Sequence, residues 1–413
     1  MVDNINISKF KAKGKTRTYQ SGAKKVFSAL KDEQEREELL KILKAKGGPF
    51  EKKYPESTKS PNETERILCK AIDTDLLLYD TQLYNALLSK SLRNVIYEII
   101  DTVGVENLKI VFDDKVFKRF PKDHNRETGN IAIFSHKDNA IVVPRIVSKY
   151  KDDENAESYQ NRIFEAKKGI GKDSDINTYI EVMPTTFAHE FRHFWQAKKQ
   201  NIARKRGDSI KSIIIRDRAI EADASTFSAL AMWELKEKNN LPFFDNYKKS
   251  SDGDIFEAFE KTAKNGDILS ATQQAFVSWY ESTRVSIVDN NISGSDFRKN
   301  TYENNIVKNI KVDMFKDKYT FDYGIDISNL LKKLSINNKL YLSDMNSFLL
   351  KKENIGIKAE TAKEIEAIFS GKLDYKTAQI LHEQLNEINN RGNISTNQKP
   401  KENILNFVKI KSR

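Results

Sequence analysis

Cysteine is almost missing from this chain of 413 residues: Cys69 stands alone. One thiol cannot close an internal disulfide, so the reducing cytoplasm is the expected compartment. No apolar run approaches the roughly 18 residues that a membrane span needs, so no transmembrane helix is expected. Residues 1–7 lack the charged-then-apolar pattern of a secretory signal, though export by a route without a cleaved signal stays open. There is no zinc-finger, helix-turn-helix or aromatic RNA-binding pattern, and no internal repeat. Histidine is scarce too, five in all, which gives weight to any two at a meaningful spacing.

Charge is plentiful, at 31% of residues and a net +11. It is unevenly spread: residues 1–60 carry +7, residues 301–413 carry +5, and residues 61–300 carry −1. A nearly neutral body with basic ends results. Basic ends can meet nucleic acid or acidic lipid by releasing counterions. Without a recognition motif, the better reading is a solubilising surface, with nucleic acid an unexpected partner.

Two of the five histidines fall in Thr185–Gln196, as H-E-x-x-H at His189, Glu190 and His193. On a helix, residues four apart share a face, so both imidazoles can address one point. That is half of a tetrahedral zinc site. Glu190 sits about 100° further round, placed to deprotonate a water on that metal. Chance gives this motif in roughly one such chain in two hundred. Context supports a helix: Pro184 suits its first turn, Phe187, Phe191, Phe194 and Trp195 form an apolar stripe, and Lys198–Lys199 suit its end.

A catalytic zinc usually takes a third protein ligand. The metzincin pattern would need a glycine and a histidine where Gln196 and Lys199 stand, so it is excluded. A carboxylate from a second helix remains, and residues 216–230 read as that helix. Glu221 is the leading candidate because Ala224, Ser225 and Ser228 around it are small and permit close approach. Asp217, one turn earlier on the same face, could orient a ligand histidine. Asp223 falls nearer the apolar side, where an acid needs a partner or a metal. Both remain alternatives to Glu221 as ligand. The bland reading pairs Glu221 with Arg218 on a solvated face.

The strings H-E-F-R-H-F-W-Q and E-A-D-A resemble the zincin-type metallopeptidase domains of many bacterial and phage-related proteins, whose pattern is H-E-x-R-H-x-x-Q with a later E-A-D-A. The resemblance covers roughly residues 80–290, and Phe276–Tyr280 is similar to an aromatic helix of such domains. It implies Zn²⁺, a zincin fold and hydrolysis of a peptide or protein substrate, and it carries over onto His189, Glu190, His193, Gln196 and Glu221. Zincins place a small sheet beside the metal helix whose edge reads an extended peptide. A zincin-like scaffold that only binds, as a catalytically inactive effector module, is the alternative. A nucleic-acid-associated protein carrying the motif by chance is a third.

The expected fold class is α+β and mostly helical, with a small sheet packed beside the H-E-x-x-H helix. Residues 1–62 read as a basic arm, a helix over Ser21–Lys46 and a linker; 63–300 as the catalytic body; 301–413 as a helical region with a polar tail. Helices are expected at Leu83–Val103, Ile255–Lys264, Leu269–Ile287, Ala359–Phe369 and Tyr375–Ile388. Strands are expected at 108–112, 131–136 and 140–144, with 150–178 an insertion bordering the cleft. His136 near the hairpin turn reads as structural. Tyr280 and Arg284, four apart, are candidate donors to a tetrahedral oxyanion, with packing the plainer role.

Overall fold

The computed structural model describes residues 50–51, 86–104, 107, 109–112, 132–135, 140–143, 174–202, 208–239, 247–248, 252–286, 291–314, 325–371 and 375–390. In chain order these form β1 (Phe50–Glu51), α1 (Lys90–Val103), β2 (Lys109–Phe112), β3 (Ile133–Ser135), β4 (Ala140–Val143), α2 (Ser174–Lys198) and α3 (Ile210–Asn239). They continue as α4 (Gly253–Ala263), α5 (Ile268–Glu281), α6 (Gly294–Met314), α7 (Ile327–Lys333), α8 (Asn346–Leu349), α9 (Lys352–Ile355), α10 (Ala359–Ser370) and α11 (Tyr375–Asn390). Helix predominates, with one small sheet. No described helix is long and apolar enough to cross a membrane. His136, the basic arm with its helix, the linker and most of the 150–178 insertion lie outside the described residues.

The sheet runs in the order β1-β2-β4-β3. β4 is parallel to β2 and antiparallel to β3, with Phe134 opposite Ile141. β3 is therefore an edge strand among the described residues. It lies on α2, where the Phe134 ring stacks on Phe194 at 4.7 Å. The small sheet beside the H-E-x-x-H helix is present.

Local chemistry sets the helix ends. α1 starts later than its apolar run, at Lys90 rather than Leu83, because Ser89 caps it by accepting from the Leu92 amide. Leu87 and Leu88 are buried just before that cap. α1 ends at Gly104, whose φ of 83° suits a residue without a Cβ. α5 stops at Glu281, short of the expected Ile287, and Val285 then bridges to Ser293. Pro184 does not open α2. The helix begins ten residues earlier at Ser174 and passes through the proline, so packing outweighs the backbone bond a proline cannot donate.

α2 and α3 form the centre. Phe187, Phe191, Phe194 and Trp195 are buried against Leu92, Val95, Ile96 and Ile99 of α1 and Phe227 of α3. Small residues on α3 let the two helices approach, and Ser228 Oγ reaches the Thr185 carbonyl at 3.1 Å. Leu330, Leu331, Leu334, Tyr341 and Leu342 belong to this same core. α6 spans Gly294–Met314, so a boundary between residues 300 and 301 falls inside a helix. A second, smaller core joins Ile210, Ile213 and Ile214 of α3 to Ile365, Leu381, Leu385 and Ile388.

Candidate metal centre

Helical spacing brings the two imidazoles of α2 together, their centroids 4.6 Å apart. His193 Nε2 lies 2.9 Å from His189 Nε2 and 3.2 Å from Glu221 Oε2. His189 Nε2 lies 3.4 Å from the same oxygen. These three side chains are the group that could hold a metal ion among the described residues. Four ligands around zinc at 2.0–2.1 Å would stand about 3.3 Å from one another. The observed separations fit that spacing, and the donor set of two imidazoles and a carboxylate fits zinc chemistry.

The lone pair of His193 is aimed by its neighbours. Gln196 Nε2 donates to the Ile220 carbonyl at 2.9 Å and to Asp223 Oδ2 at 2.6 Å. Both partners are acceptors, so the amide can be oriented only one way. Its Oε1 then faces His193 Nδ1 at 2.8 Å, which places the ring proton on Nδ1. In the neutral ring the Nε2 lone pair is then on the side that faces His189 and Glu221.

Asp223 is fully buried and fully used. Its carboxylate accepts from Arg192 Nε at 2.7 Å and Arg192 Nη2 at 2.8 Å. It also accepts from Gln196 Nε2 and from Tyr341 Oη, the latter at 2.6 Å. Four bonds fill the lone-pair sites of a carboxylate, so Asp223 stands one layer behind the histidines. Asp217 instead accepts from Arg216 Nε at 3.3 Å and is not among the three converging groups. Arg218 is held by Glu303 and by the carbonyls of Asn354 and Gly356, so its ion pair is with Glu303.

Glu190 points to the sheet, its Oε2 accepting from the Phe134 amide of β3 at 2.6 Å. Burial raises its carboxyl above the ordinary range, against the charges of His189 and His193 and the Phe134 bond, while Glu221 raises it further. For Glu221 burial is again the largest influence, but His193, His189 and their hydrogen bonds outweigh it and hold the group well below its usual value. Burial lowers the affinity of His193 for a proton, yet Glu221 and Glu190 together lift it to about 9.

Two residues near the centre carry no signal at a recognisable spacing. Tyr302 of α6 donates to Glu221 Oε2 at 2.9 Å. Asp252, just before α4, bonds with Ser225 and lies within electrostatic reach of His189. Its side chain does not cap α4, and burial raises its carboxyl above the ordinary range. Tyr280 and Arg284 are placed elsewhere. The Tyr280 hydroxyl is buried without a hydrogen-bond partner, its ring packed on Trp279, Phe276 and Phe348. Arg284 donates to the Lys248 carbonyl at 2.8 Å and pairs with Glu257 at 3.4 Å.

Residues 180–318 match a family described as "Putative metallopeptidase family (DUF6782)". That stretch contains His189, Glu190, His193, Gln196, Glu221, Asp223 and Tyr302 and includes the whole of α6. No curated protein and no solved structure matches the chain.

Proposed function

We propose that this chain is a zinc metallopeptidase of zincin-like plan, in which His189, His193 and Glu221 hold Zn²⁺ and Glu190 is the general base. The observation that supports it most is the convergence of three donor atoms, all within 4.8 Å of one another, beside a buried glutamate that is not one of them. The match of residues 180–318 to a metallopeptidase family agrees with it.

Zinc, when bound, supplies a Lewis acid that lowers the pKa of water toward about 7. The residues do the rest. Glu190 accepts the proton of the attacking water as its oxygen adds to the scissile carbonyl carbon. It then delivers that proton to the departing amine nitrogen as the C–N bond breaks. The Phe134 amide fixes one Glu190 oxygen and leaves the other for the water. Tyr302, rather than Tyr280 or Arg284, has its hydroxyl at the centre, where its one proton goes to Glu221 Oε2 and orients that carboxylate. β3, the edge strand, offers backbone groups to an extended peptide.

Glu190→Gln tests this directly. The variant should retain zinc while peptide hydrolysis falls by about 100- to 10,000-fold, and His193→Ala should lose both. A wild-type chain that binds no zinc, or a Glu190→Gln chain that hydrolyses peptides as fast as wild type, overturns the reading.

A further inference from the structure

Beyond the family match, residues 335–341 fold into a tight hairpin that docks on the helices of the metal centre. Ile336 and Lys339 exchange backbone bonds of 3.0 and 2.9 Å across a two-residue loop. The loop residues Asn337 and Asn338 have φ of 49° and 60°, the left-handed pair such a loop requires and asparagine tolerates. Asn337 donates to Ser91 Oγ of α1 at 3.0 Å and accepts from Asn94 Nδ2 at 3.0 Å. At the base of the hairpin the Ser335 carbonyl accepts from Arg192 Nη2 at 2.7 Å. Tyr341, 3% exposed, donates to Asp223 Oδ1 at 2.6 Å. One short segment thus touches α1, α2 and α3.

We propose that this hairpin is a clamp for the metal centre, and that Tyr341 is a positioning residue acting on His193 through Asp223 and Gln196. The inference rests on the metal reading above. Three bonds in series make the connection: Tyr341 Oη to Asp223 Oδ1, Gln196 Nε2 to Asp223 Oδ2, and His193 Nδ1 to Gln196 Oε1. Without the Tyr341 hydroxyl, Asp223, whose side chain is fully buried, loses one of its four donors. Its carboxylate is then held less firmly, and the bond that Gln196 Nε2 makes to it slackens, leaving the Ile220 carbonyl as the amide's firm anchor. A looser amide no longer holds its Oε1 squarely on His193 Nδ1, so the ring turns more freely and its Nε2 lone pair is aimed less well at a metal. A residue that steadies a ligand's ring therefore lies about 150 residues down the chain, on an element the family match does not include.

Tyr341→Phe removes the hydroxyl and keeps the ring that faces Phe276 at 6.2 Å. Zn²⁺ affinity of the full chain is measured by competition with a chromophoric chelator, well below the unfolding temperature. The absorption of bound Co²⁺ reports the geometry, and melting of the metal-free protein is recorded in parallel. The variant should bind Zn²⁺ about tenfold more weakly with an altered Co²⁺ spectrum. Zn²⁺ affinity and Co²⁺ spectrum equal to wild type, with only a lower melting temperature, would reduce Tyr341 to packing and overturn the clamp while leaving the peptidase reading intact. A wild-type chain that binds no Zn²⁺ overturns both. If Tyr341→Phe does not fold, Asn337→Ala serves instead. It cuts the exposed hairpin from Ser91 and Asn94 and should weaken Zn²⁺ in the same direction; unchanged affinity again overturns the clamp.

Discussion

Glu190, buried, and Glu221, half-buried, are carboxylates within reach of the same two imidazoles, yet they are pulled in opposite directions. Glu221 shares its Oε2 with both Nε2 atoms and is held ionised, while Glu190 is raised by burial. The metal-free protein should show the consequence. His193, lifted from 6.5 to about 9, adds stability that is complete below its unfolded value and lost as pH rises through about 9. Glu221, lowered from 4.5, adds stability present above that value and lost only in strong acid. Denaturant unfolding in the presence of a chelator should therefore separate wild type from His193→Gln widely near about pH 6 and hardly at about pH 10. An equal gap at both would contradict it. The histidine pair and Glu221 were legible because helical spacing and small neighbours are local properties. Tyr302 and Tyr341 were not, since they lie 81 and 118 residues from the acids they bond, and no spacing rule reaches that far. Asp223 was legible as needing a partner, but Arg192 and Tyr341 could be identified as its partners only from the packing.

At the scale of elements, α2 and α3 are joined by a buried ion pair as well as by apolar contact. Arg192 and Asp223 are each at most 1% exposed. Replacing Arg192 with Leu would strand a buried carboxylate and should cost about 3–5 kcal/mol, read as a lowered midpoint in denaturant. Adding Asp223→Asn should recover part of the loss, because the stranded charge goes with it. No recovery would mean that packing of Arg192 over Trp195, 3.9 Å from its ring, dominates. Sequence periodicity located α1 to α5, α10, α11 and the β3–β4 hairpin, missed α6 to α9, and misjudged some ends. It started α1 too early because Leu87 and Leu88 continue the apolar pattern past the Ser89 cap. It started α2 too late because a proline inside a helix looks like a proline at its start. Both errors have one cause: periodicity reports which face is buried, while caps and packing decide where a helix stops.

Across the whole molecule, the C-terminal third divides by the core it fills. Residues 330–342 complete the main core, and Glu303 of α6 accepts from Arg218 at 3.0 Å and from Thr361 at 3.0 Å. A chain ending at residue 300 should fail to unfold cooperatively by circular dichroism, because it loses that core wall together with Tyr302. A chain ending at residue 357 loses α10 and α11 and exposes Ile210, Ile213 and Ile214, and should melt at a lower temperature while still binding zinc. Identical behaviour of the two truncations would contradict this division. Composition had separated the basic ends from a neutral body, but charge says nothing of which segment closes a core.

α3, 30 residues long and about 45 Å from end to end, belongs to two cores at once. Its first turns are sheltered by α10 and α11, its middle by α2. Amide protons along this one helix should accordingly exchange with solvent in two classes. Those near residues 210–214 open together with the α10–α11 pair, at a lower free energy than those flanking Glu221. Deuterium uptake resolved along α3 would reveal a boundary within a continuous helix, marking where one cooperative unit of the protein hands over to the next.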